Sequence, residues 1–149
     1  MKPWIKRLIS FSLFILFGAT TAGCSGSGAG METSSLKMAP LAGMPAEVLS
    51  APTVVQQAYQ FAAANPDVMT QIPCYCGCGS IGHTSNYDCY VGETGQDGLI
   101  AYDTHALGCS ICVDITQDAM RMLEQGKGVD EIRDFVDETY AQYGPSNLP

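Results

Sequence analysis

Positive charge is scarce in this chain beyond its first seven residues. Only four of its seven lysines and arginines follow residue 7, whereas all 15 acidic residues do. Residues 24–149 therefore carry a formal charge of 4 minus 15, or −11, compared with −8 for the whole chain. No basic stripe is present that could bind nucleic acid phosphates or anionic lipid headgroups. The composition excludes those partners and favours cationic ligands.

The chain also lacks the motifs of several enzyme classes. It contains no Gly-rich phosphate loop, no serine nucleophile elbow and no His-Glu-x-x-His helix. Cys112 is followed by Val113, so the haem-attachment motif Cys-x-x-Cys-His is absent. The cysteine spacings match neither ferredoxin pattern. We therefore expect a protein that is not an enzyme, unless its thiols themselves exchange with disulfides.

The apolar run near the start of the chain is short. Residues 8–17 are mostly apolar, whereas a helix that spans a bilayer needs about 20 such residues. Basic residues precede the run, and Thr21-Ala22-Gly23-Cys24 follows it. A basic start, a short apolar core and small residues at the end are typical of an export signal. We therefore expect the protein to be exported and to work outside the cytoplasm.

This export signal resembles that of bacterial lipoproteins, whose last cysteine is lipidated and becomes the new N-terminus. The resemblance implies cleavage between Gly23 and Cys24, so that residues 1–23 are the signal peptide. It also implies that a lipid on Cys24 anchors the chain to the cell membrane. Thr21 departs from the lipoprotein pattern, which usually has an aliphatic residue there. An uncleaved anchor or a secreted form without lipid is the alternative.

The rest of the chain divides into two parts by composition. Residues 24–49 are rich in Gly, Ser, Ala, Met and Pro and show no apolar period, so we interpret them as a flexible tether. Residues 50–149 suit one small domain with a modest core. A domain of that size often depends on cross-links or a metal for stability.

Helical signals are clear at both ends of residues 50–149. Ser50 is a candidate cap for a first helix that ends at Asn65, and a short helix then runs to residue 72. A second helix is predicted over about 108–125, closed by Gly126, and a third over about 129–143. Residues 77–98 predict a long irregular loop, followed by an extended piece at 99–102. The predicted fold is mainly α, a small three-helix domain with a long cysteine-rich loop.

The predicted helices also define a core. Apolar residues recur on one face of each helix at the 3.6-residue period. The residues that we expect to be buried are Val55, Ala58, Tyr59, Ala62, Ile111, Ile115, Ala119, Met122, Ile132, Phe135, Val136 and Tyr140.

Three cysteines fall within five residues at the start of the loop. Cys74, Cys76 and Cys78 alternate with other residues, so in an extended segment their sulfurs project from the same side. Gly77 allows the backbone to curl around an ion. Tyr75 is expected to pack over the site. The spacing therefore predicts a cluster of soft ligands.

A second pair of cysteines lies at the predicted start of the second helix. Cys109 and Cys112 are three residues apart, so both point to one side of the first turn. Unpaired backbone N–H groups there favour thiolate over thiol. Cys89 can complete either the pair or the trio. His83 and His105 lie near the cysteines in sequence and are further candidate ligands.

Soft sulfur ligands select Cu(I) and Zn(II) over hard cations, so we expect one of these metals. The predicted ligands are Cys74, Cys76, Cys78, Cys89, Cys109, Cys112 and His83. Two alternatives remain open at this point. Exported cysteines can form a disulfide scaffold, although bridges between cysteines two residues apart are strained. Cys109 and Cys112 could also carry out thiol–disulfide exchange on a partner.

The run Pro73-Cys74-Tyr75-Cys76-Gly77-Cys78 matches the signature of the bacterial PCYCGC-motif lipoproteins residue for residue. The chain resembles that family from about residue 45 to residue 144. The resemblance implies an exported, anchored protein and no particular activity. Together with the thiol chemistry, it predicts a lipid-anchored protein that captures or relays Cu(I) or Zn(II), with a metal donor or acceptor protein as partner.

Overall fold

The structure is a computed structural model that describes residues 35–95 and 99–149. The predicted signal peptide, Cys24 and the first part of the predicted tether lie outside these residues. The elements in chain order are α1 (Ala46–Leu49), α2 (Thr53–Ala64), α3 (Pro66–Met69), β1 (Val91–Thr94), β2 (Ile100–Tyr102), α4 (Ser110–Glu124) and α5 (Val129–Tyr140). Short 3₁₀ helices cover Cys78–Ile81, Tyr87–Cys89, His105–Gly108 and Ala141–Tyr143.

Proline sets both ends of helix α2. Pro52 immediately precedes its first residue, and Pro66 keeps Asn65 out of the helical region, at φ −131° and ψ 54°. The Asn65 side chain donates to the carbonyl of Phe61 at 2.7 Å, which satisfies one of the last acceptors of the helix. Val55, predicted as core, is only partly buried. The residues of α2 that are buried, on the side that packs against α4, are Ala58, Tyr59, Phe61 and Ala62.

Helices α4 and α5 form the predicted hairpin. Gly126 has φ +78°, a left-handed conformation that glycine adopts without strain. The N–H of Lys127 donates to the carbonyl of Met122 at 3.0 Å, which completes a Schellman motif at the end of α4. At the start of α5, the N–H of Gly128 donates to Glu131 Oε2 at 3.1 Å. The prediction that Gly126 closes the second helix is confirmed.

The buried faces of α4 and α5 agree closely with the predicted core. Ile111 and Phe135 are partly buried, and the other predicted residues of these two helices are fully buried. Tyr140 Oη donates to Asp118 Oδ2 at 2.7 Å and ties the end of α5 to the middle of α4. The hairpin therefore supplies a rigid surface on which α2 and the cysteine-bearing segments pack.

The predicted irregular loop of residues 77–98 contains more structure than the sequence indicated. Within its described part, two 3₁₀ helices are followed by β1. Strand β1 pairs with β2 in an antiparallel sheet, with Val91 opposite Tyr102 and an irregular register beyond this pair. The extended piece predicted at 99–102 corresponds to β2. The loop was misjudged because its turns are held by long-range contacts, which local composition does not reveal.

The predicted boundary at residue 50 falls inside the packed structure. The N–H of Ala39 donates to the carbonyl of Gln60 at 2.9 Å, and the Gln60 side chain donates back to the carbonyl of Ala39 at 2.8 Å. Met44 and Val48 are buried in the core. Ser50 does not cap α2 but terminates α1, where its hydroxyl donates to a carbonyl of the last turn. Residues 35–49 are therefore part of the folded unit, whereas residues 24–34 keep the tether interpretation as a prediction.

The mainly α prediction is confirmed. Among the described residues there are five α-helices and one two-stranded sheet, and only α2, α4 and α5 are longer than four residues. None of the helices within residues 35–95 and 99–149 is both long enough and apolar enough to cross a membrane. The core is continuous from α1 to α5 and includes four of the cysteines.

Candidate metal site

The clustered trio and the helix-borne pair of cysteines meet in the folded structure. Cys74 Sγ lies 3.4 Å from Cys76 Sγ and 3.6 Å from Cys112 Sγ. Cys112 Sγ is also 3.6 Å from Cys76 Sγ. Cys89 Sγ lies 3.7 Å from Cys78 Sγ. Sulfur atoms from three separate segments of the chain thus lie close together.

These distances are those of free thiols and not of disulfides. A disulfide joins two sulfurs at about 2.05 Å, and all six cysteines of the described residues are free. Ligands at the corners of a tetrahedron around zinc, with Zn–S bonds of about 2.3 Å, are about 3.8 Å apart. The observed separations of 3.4–3.7 Å are close to that edge length. The sulfurs therefore stand where a tetrahedral ion would hold them, slightly contracted.

The ligand atoms form two groups of four, and within each group all atoms lie within 4.8 Å of one another. One residue, Cys76, belongs to both groups. The first group consists of Cys74, Cys76, Cys78 and Cys89, and the second of Cys76, His105, Cys109 and Cys112. We call these the inner group and the outer group.

The backbone of the PCYCGC segment turns sharply within the inner group. Gly77 has φ +82°, a left-handed conformation that other residues rarely adopt, and the 3₁₀ helix that begins at Cys78 follows directly. This turn carries Cys78 back toward Cys89 rather than along an extended line. Tyr75 points away from the sulfurs, and its Oη donates to Asp137 Oδ1 at 2.6 Å. The expectation of one continuous extended segment is therefore wrong, whereas the expected role of Gly77 agrees with its conformation.

Asn147, near the end of the chain, clamps the inner group. Its Oδ1 accepts the N–H of Cys74 at 2.7 Å, and its own N–H donates to the carbonyl of Cys74 at 3.1 Å. Its Nδ2 donates to Cys78 Sγ at 3.4 Å and to the carbonyl of Ser85 at 3.0 Å. Asn147 could not be predicted as part of the site, because no sequence motif in the tail indicates that it packs against residues more than 60 positions earlier in the chain. A residue of this kind orients the ligands without binding the ion.

Gly144 lets the tail approach the cysteine segment closely. A Cβ atom added at Gly144 would lie 2.8 Å from the carbonyl oxygen of Tyr75. Only glycine fits that approach without a backbone shift. The predicted third helix ends just before Gly144, and the close approach of Gly144 to Tyr75 becomes apparent only in the folded structure.

The outer group is carried by the start of α4. Cys109 is the N-cap residue and Cys112 lies in the first turn, close to the predicted positions. A buried polar network supports this turn, since Tyr90 Oη donates to the carbonyl of Cys112 at 2.7 Å. Thr116 Oγ1 in turn donates to Tyr90 Oη at 2.7 Å, and Asn86 Nδ2 donates to Thr116 Oγ1 at 2.9 Å. Tyr90 therefore packs beside the site and holds the backbone of Cys112 in place.

The two histidines have different positions. His105 Nε2 lies 3.4 Å from Cys76 Sγ and belongs to the outer group. The N–H of His105 donates to Asp103 Oδ1 at 2.7 Å, which anchors its backbone. His83 lies beside it, with the two rings 5.2 Å apart, and its Nε2 is 3.6 Å from Asp103 Oδ2. His83, the predicted ligand, belongs to neither group, and the histidine that joins the cysteines is His105.

The thiols strongly influence one another's protonation. The pKa of Cys74 is lowered, chiefly because the thiols of Cys112 and Cys89 donate hydrogen bonds to its sulfur. The pKa of Cys112 is raised because its proton is held in those contacts and because it is buried. Burial likewise raises the pKa of Cys76. The helix start was expected to favour thiolate, but at Cys112 the neighbouring thiols outweigh it. Burial and the neighbouring thiols therefore disfavour the formation of further thiolates, and a bound cation would favour them.

The two groups differ in exposure. In the inner group Cys74 and Cys89 are 0% exposed and Cys78 is 2% exposed. In the outer group only Cys112 is buried, whereas Cys76, His105 and Cys109 are partly exposed. Cys109 also lines a surface cleft of about 310 Å³ that is bordered by Leu107 and Val113. The outer group is thus the side of the cluster that solvent reaches.

A comparison with protein families gives one match. A family model described as a protein of unknown function with PCYCGC motif matches residues 14–148. The chain belongs to this family. No curated protein and no solved structure matches the chain. The resemblance seen in Pro73-Cys74-Tyr75-Cys76-Gly77-Cys78 is therefore confirmed, and the family description carries no activity.

The structure shows where each residue type of the PCYCGC motif lies in this chain and what it contacts. Its three cysteines supply three of the four sulfurs of the inner group, and the fourth comes from Cys89. Its glycine makes the turn that brings Cys78 to Cys89. Its tyrosine fastens the segment to α5 through Asp137.

Proposed function

We propose that this PCYCGC-family protein binds a soft metal ion, Zn(II) or Cu(I), through its clustered thiols and captures or relays that ion outside the cytoplasm. One observation carries the proposal: six free thiols and one imidazole converge, and sulfur–sulfur distances of 3.4–3.7 Å among five of these thiols are compatible with metal coordination. Thiolate and imidazole ligands are those that Zn(II) and Cu(I) prefer.

The charge of the site supports the same proposal. A buried thiolate needs a compensating charge, because desolvation disfavours it. The lysines and arginines of the described residues are all exposed: Lys37, Arg121, Lys127 and Arg133. Arg121 and Lys127 pair with Asp118 and Glu131, away from the thiols. A metal cation is the partner that best balances the cluster.

The location and partners in this proposal come from the sequence. Residues 1–23 would direct export, and a lipid on Cys24 would hold the protein at the membrane. The excess of acidic residues would attract cations to the anchored domain. A second protein would donate or receive the metal. In this proposal the chain is a binding protein rather than an enzyme, and thiol–disulfide exchange through Cys109 and Cys112 is the rival function.

The test is to purify the full-length protein from membranes without oxygen and to measure bound metal and free thiols together. We expect at least one equivalent of zinc or copper, with thiols that react with a thiol reagent only after a chelator removes the metal. Absence of metal together with absence of free thiols would identify a disulfide-stapled domain. A reversible two-electron couple that disappears in Cys109→Ser would instead support thiol–disulfide exchange.

A further inference from the structure

We infer that the site holds two metal ions that share the thiolate of Cys76 as a bridging ligand, and that the ion in the outer group exchanges first. This inference rests on the proposed metal-binding function. It goes beyond that function because a single ion could use only part of the cluster.

The number of donors fits two ions. A closed tetrahedral site uses four ligands, and the inner group already provides four sulfurs. His105, Cys109 and Cys112 would then remain beside the filled site without an ion, although they are packed at coordination distance. These three donors plus Cys76 make a second complete set of four. Seven residues therefore satisfy two tetrahedral ions only if one ligand is shared.

Cys76 stands where a shared ligand must stand. Its Sγ lies 3.4 Å from Cys74 Sγ in the inner group. The same atom lies 3.6 Å from Cys112 Sγ and 3.4 Å from His105 Nε2 in the outer group. A thiolate sulfur has enough lone pairs to bind two cations at once. The position of Cys76 between the two groups, just before the Gly77 turn, allows it to face both.

Electrostatics also favours a second ion. If all six thiols were ionised around one Zn(II), the cluster would carry a charge of four negative units, mostly in buried surroundings. A second Zn(II) halves that charge to two negative units. No exposed lysine or arginine of the described chain compensates the remainder, as noted above. The second ion therefore stabilises the thiolates that the first ion leaves unpaired.

The two ions are not equivalent. The inner ion would have four sulfur ligands, of which three are almost fully buried, and Asn147 forms hydrogen bonds with two of the ligand residues, Cys74 and Cys78. The outer ion would have three sulfur ligands and one nitrogen, and it would lie behind partly exposed side chains. A competing ligand can approach Cys109 through the cleft that this residue lines. Exchange with a chelator or a partner thiol should therefore begin at the outer ion.

The probe for this inference is ¹¹³Cd(II), bound to the reduced full-length protein and observed by NMR. Two resonances of equal intensity are expected, with scalar coupling between them through the shared sulfur of Cys76. The resonance of the outer ion should lie at lower frequency, because it has one thiolate fewer. His105→Cys should shift that resonance toward the other one and leave the inner resonance in place.

Variants and a chelator complete the test. Cys109→Ser should reduce bound cadmium from two equivalents to one, whereas His83→Gln, the matched control, should keep both. Circular dichroism checks that each variant remains helical. With limiting chelator, the outer resonance should disappear before the inner one. Loss of the inner resonance first would overturn the order of exchange, and two uncoupled resonances would overturn the bridge.

The result also distinguishes this inference from the proposed function. One cadmium per chain in the unmodified protein, with unchanged binding in Cys109→Ser, would refute the binuclear site and leave metal binding intact. No bound cadmium in the reduced protein would refute both.

Discussion

At the scale of single residues, the positions of the candidate ligands depend on neighbouring residues that belong to neither group of ligands. Asn147 contacts Cys74 through its backbone N–H and its side-chain Oδ1 and reaches Cys78 Sγ through Nδ2. His105 is held by Asp103, whereas His83 beside it is directed to Asp103 instead of to a sulfur. These hydrogen bonds and contacts place His105, and not His83, beside the cysteines.

Asn147→Asp should weaken metal binding by about 10- to 100-fold, the usual cost of losing a residue that orients ligands. The substitution keeps the acceptor for the N–H of Cys74 but replaces the donor to Cys78 with negative charge. Affinity is measured by competition with a chromophoric chelator under anaerobic conditions. Gln142→Ala, an exposed change in the same C-terminal segment, is the control and should have no effect. Unchanged metal affinity in Asn147→Asp would show that the hydrogen bond from Asn147 to Cys78 does not contribute to metal binding.

Gly144→Ala should destabilise the fold by about 1–3 kcal/mol, the usual cost of forcing extra volume into a packed site. The added Cβ would meet the carbonyl oxygen of Tyr75 at 2.8 Å, so the backbone must move. Urea unfolding of the reduced, metal-free protein measures the change. Gly108→Ala is the control, because no atom lies within 4 Å of its added Cβ. Equal stability of the two variants would mean that the tail does not press against the cysteine segment.

The sequence could predict that the cysteine trio and pair cluster, but not which histidine joins them. Cysteine spacing is a local property, so Cys74, Cys76 and Cys78 were readable as one cluster. The choice between His83 and His105 depends on how the 3₁₀ helix His105–Gly108 places its first residue against Cys76. Asn147 was equally invisible, because its role exists only after the tail has folded onto Cys74.

At the scale of elements, the long helices are set by local signals. Pro52 and Pro66 bound α2, and Gly126 ends α4, so these limits were predictable to within a few residues. Helix α1 was missed because its stability comes from burying Val48 against α2 rather than from its own four residues. Strand β1 was missed for a similar reason, since it depends on pairing with β2, which lies further along the chain.

The start of α5 should make stability depend on pH through Glu131. Hydrogen bonds from Lys127 and from the N–H of Gly128 lower the pKa of Glu131 in the folded protein. Because the pKa of Glu131 is lower in the folded than in the unfolded protein, its stabilising contribution is fully present above the unfolded pKa of about 4.3. The contribution is lost as the pH falls through the folded pKa. Glu131→Gln should therefore differ most from wild type near neutral pH and converge with it in acid.

Thermal unfolding of the two proteins between neutral pH and about pH 3 measures that convergence. Glu138→Gln, an exposed change on the same helix, serves as the control and should give a constant difference from wild type. A gap between wild type and Glu131→Gln that stays constant with pH would contradict the assignment.

At the scale of the whole molecule, the fold has two sources of stability. The helical core is built from large apolar residues such as Tyr59, Phe61, Ile115 and Ile132, which are fully buried and need no metal. The segment from Cys74 to Tyr90 contains only short 3₁₀ helices. It is attached to α4 and α5 by side-chain hydrogen bonds of Tyr75, Asn86 and Tyr90 and by the sulfur contact between Cys74 and Cys112. Loss of metal should therefore loosen one part of the molecule and spare the other.

Hydrogen exchange with and without metal tests this division. After chelation under reducing conditions, amides of residues 74–90 should exchange much faster, whereas those of α2, α4 and α5 should stay protected. The reason is that separated thiols cannot replace the bonds that an ion makes between segments. Uniform loss of protection across the molecule would indicate that metal is required for the entire fold. No change at residues 74–90 would indicate that metal does not hold this segment.

Native mass spectrometry of the full-length protein, purified from membranes without oxygen, tests the central claim most directly. We expect a mass higher than that of the metal-free chain. The difference should equal the mass of the bound zinc or copper minus the mass of the protons released from the ligating thiols. A metal-free mass reduced only by the hydrogens lost in forming disulfides among the six cysteines would contradict it.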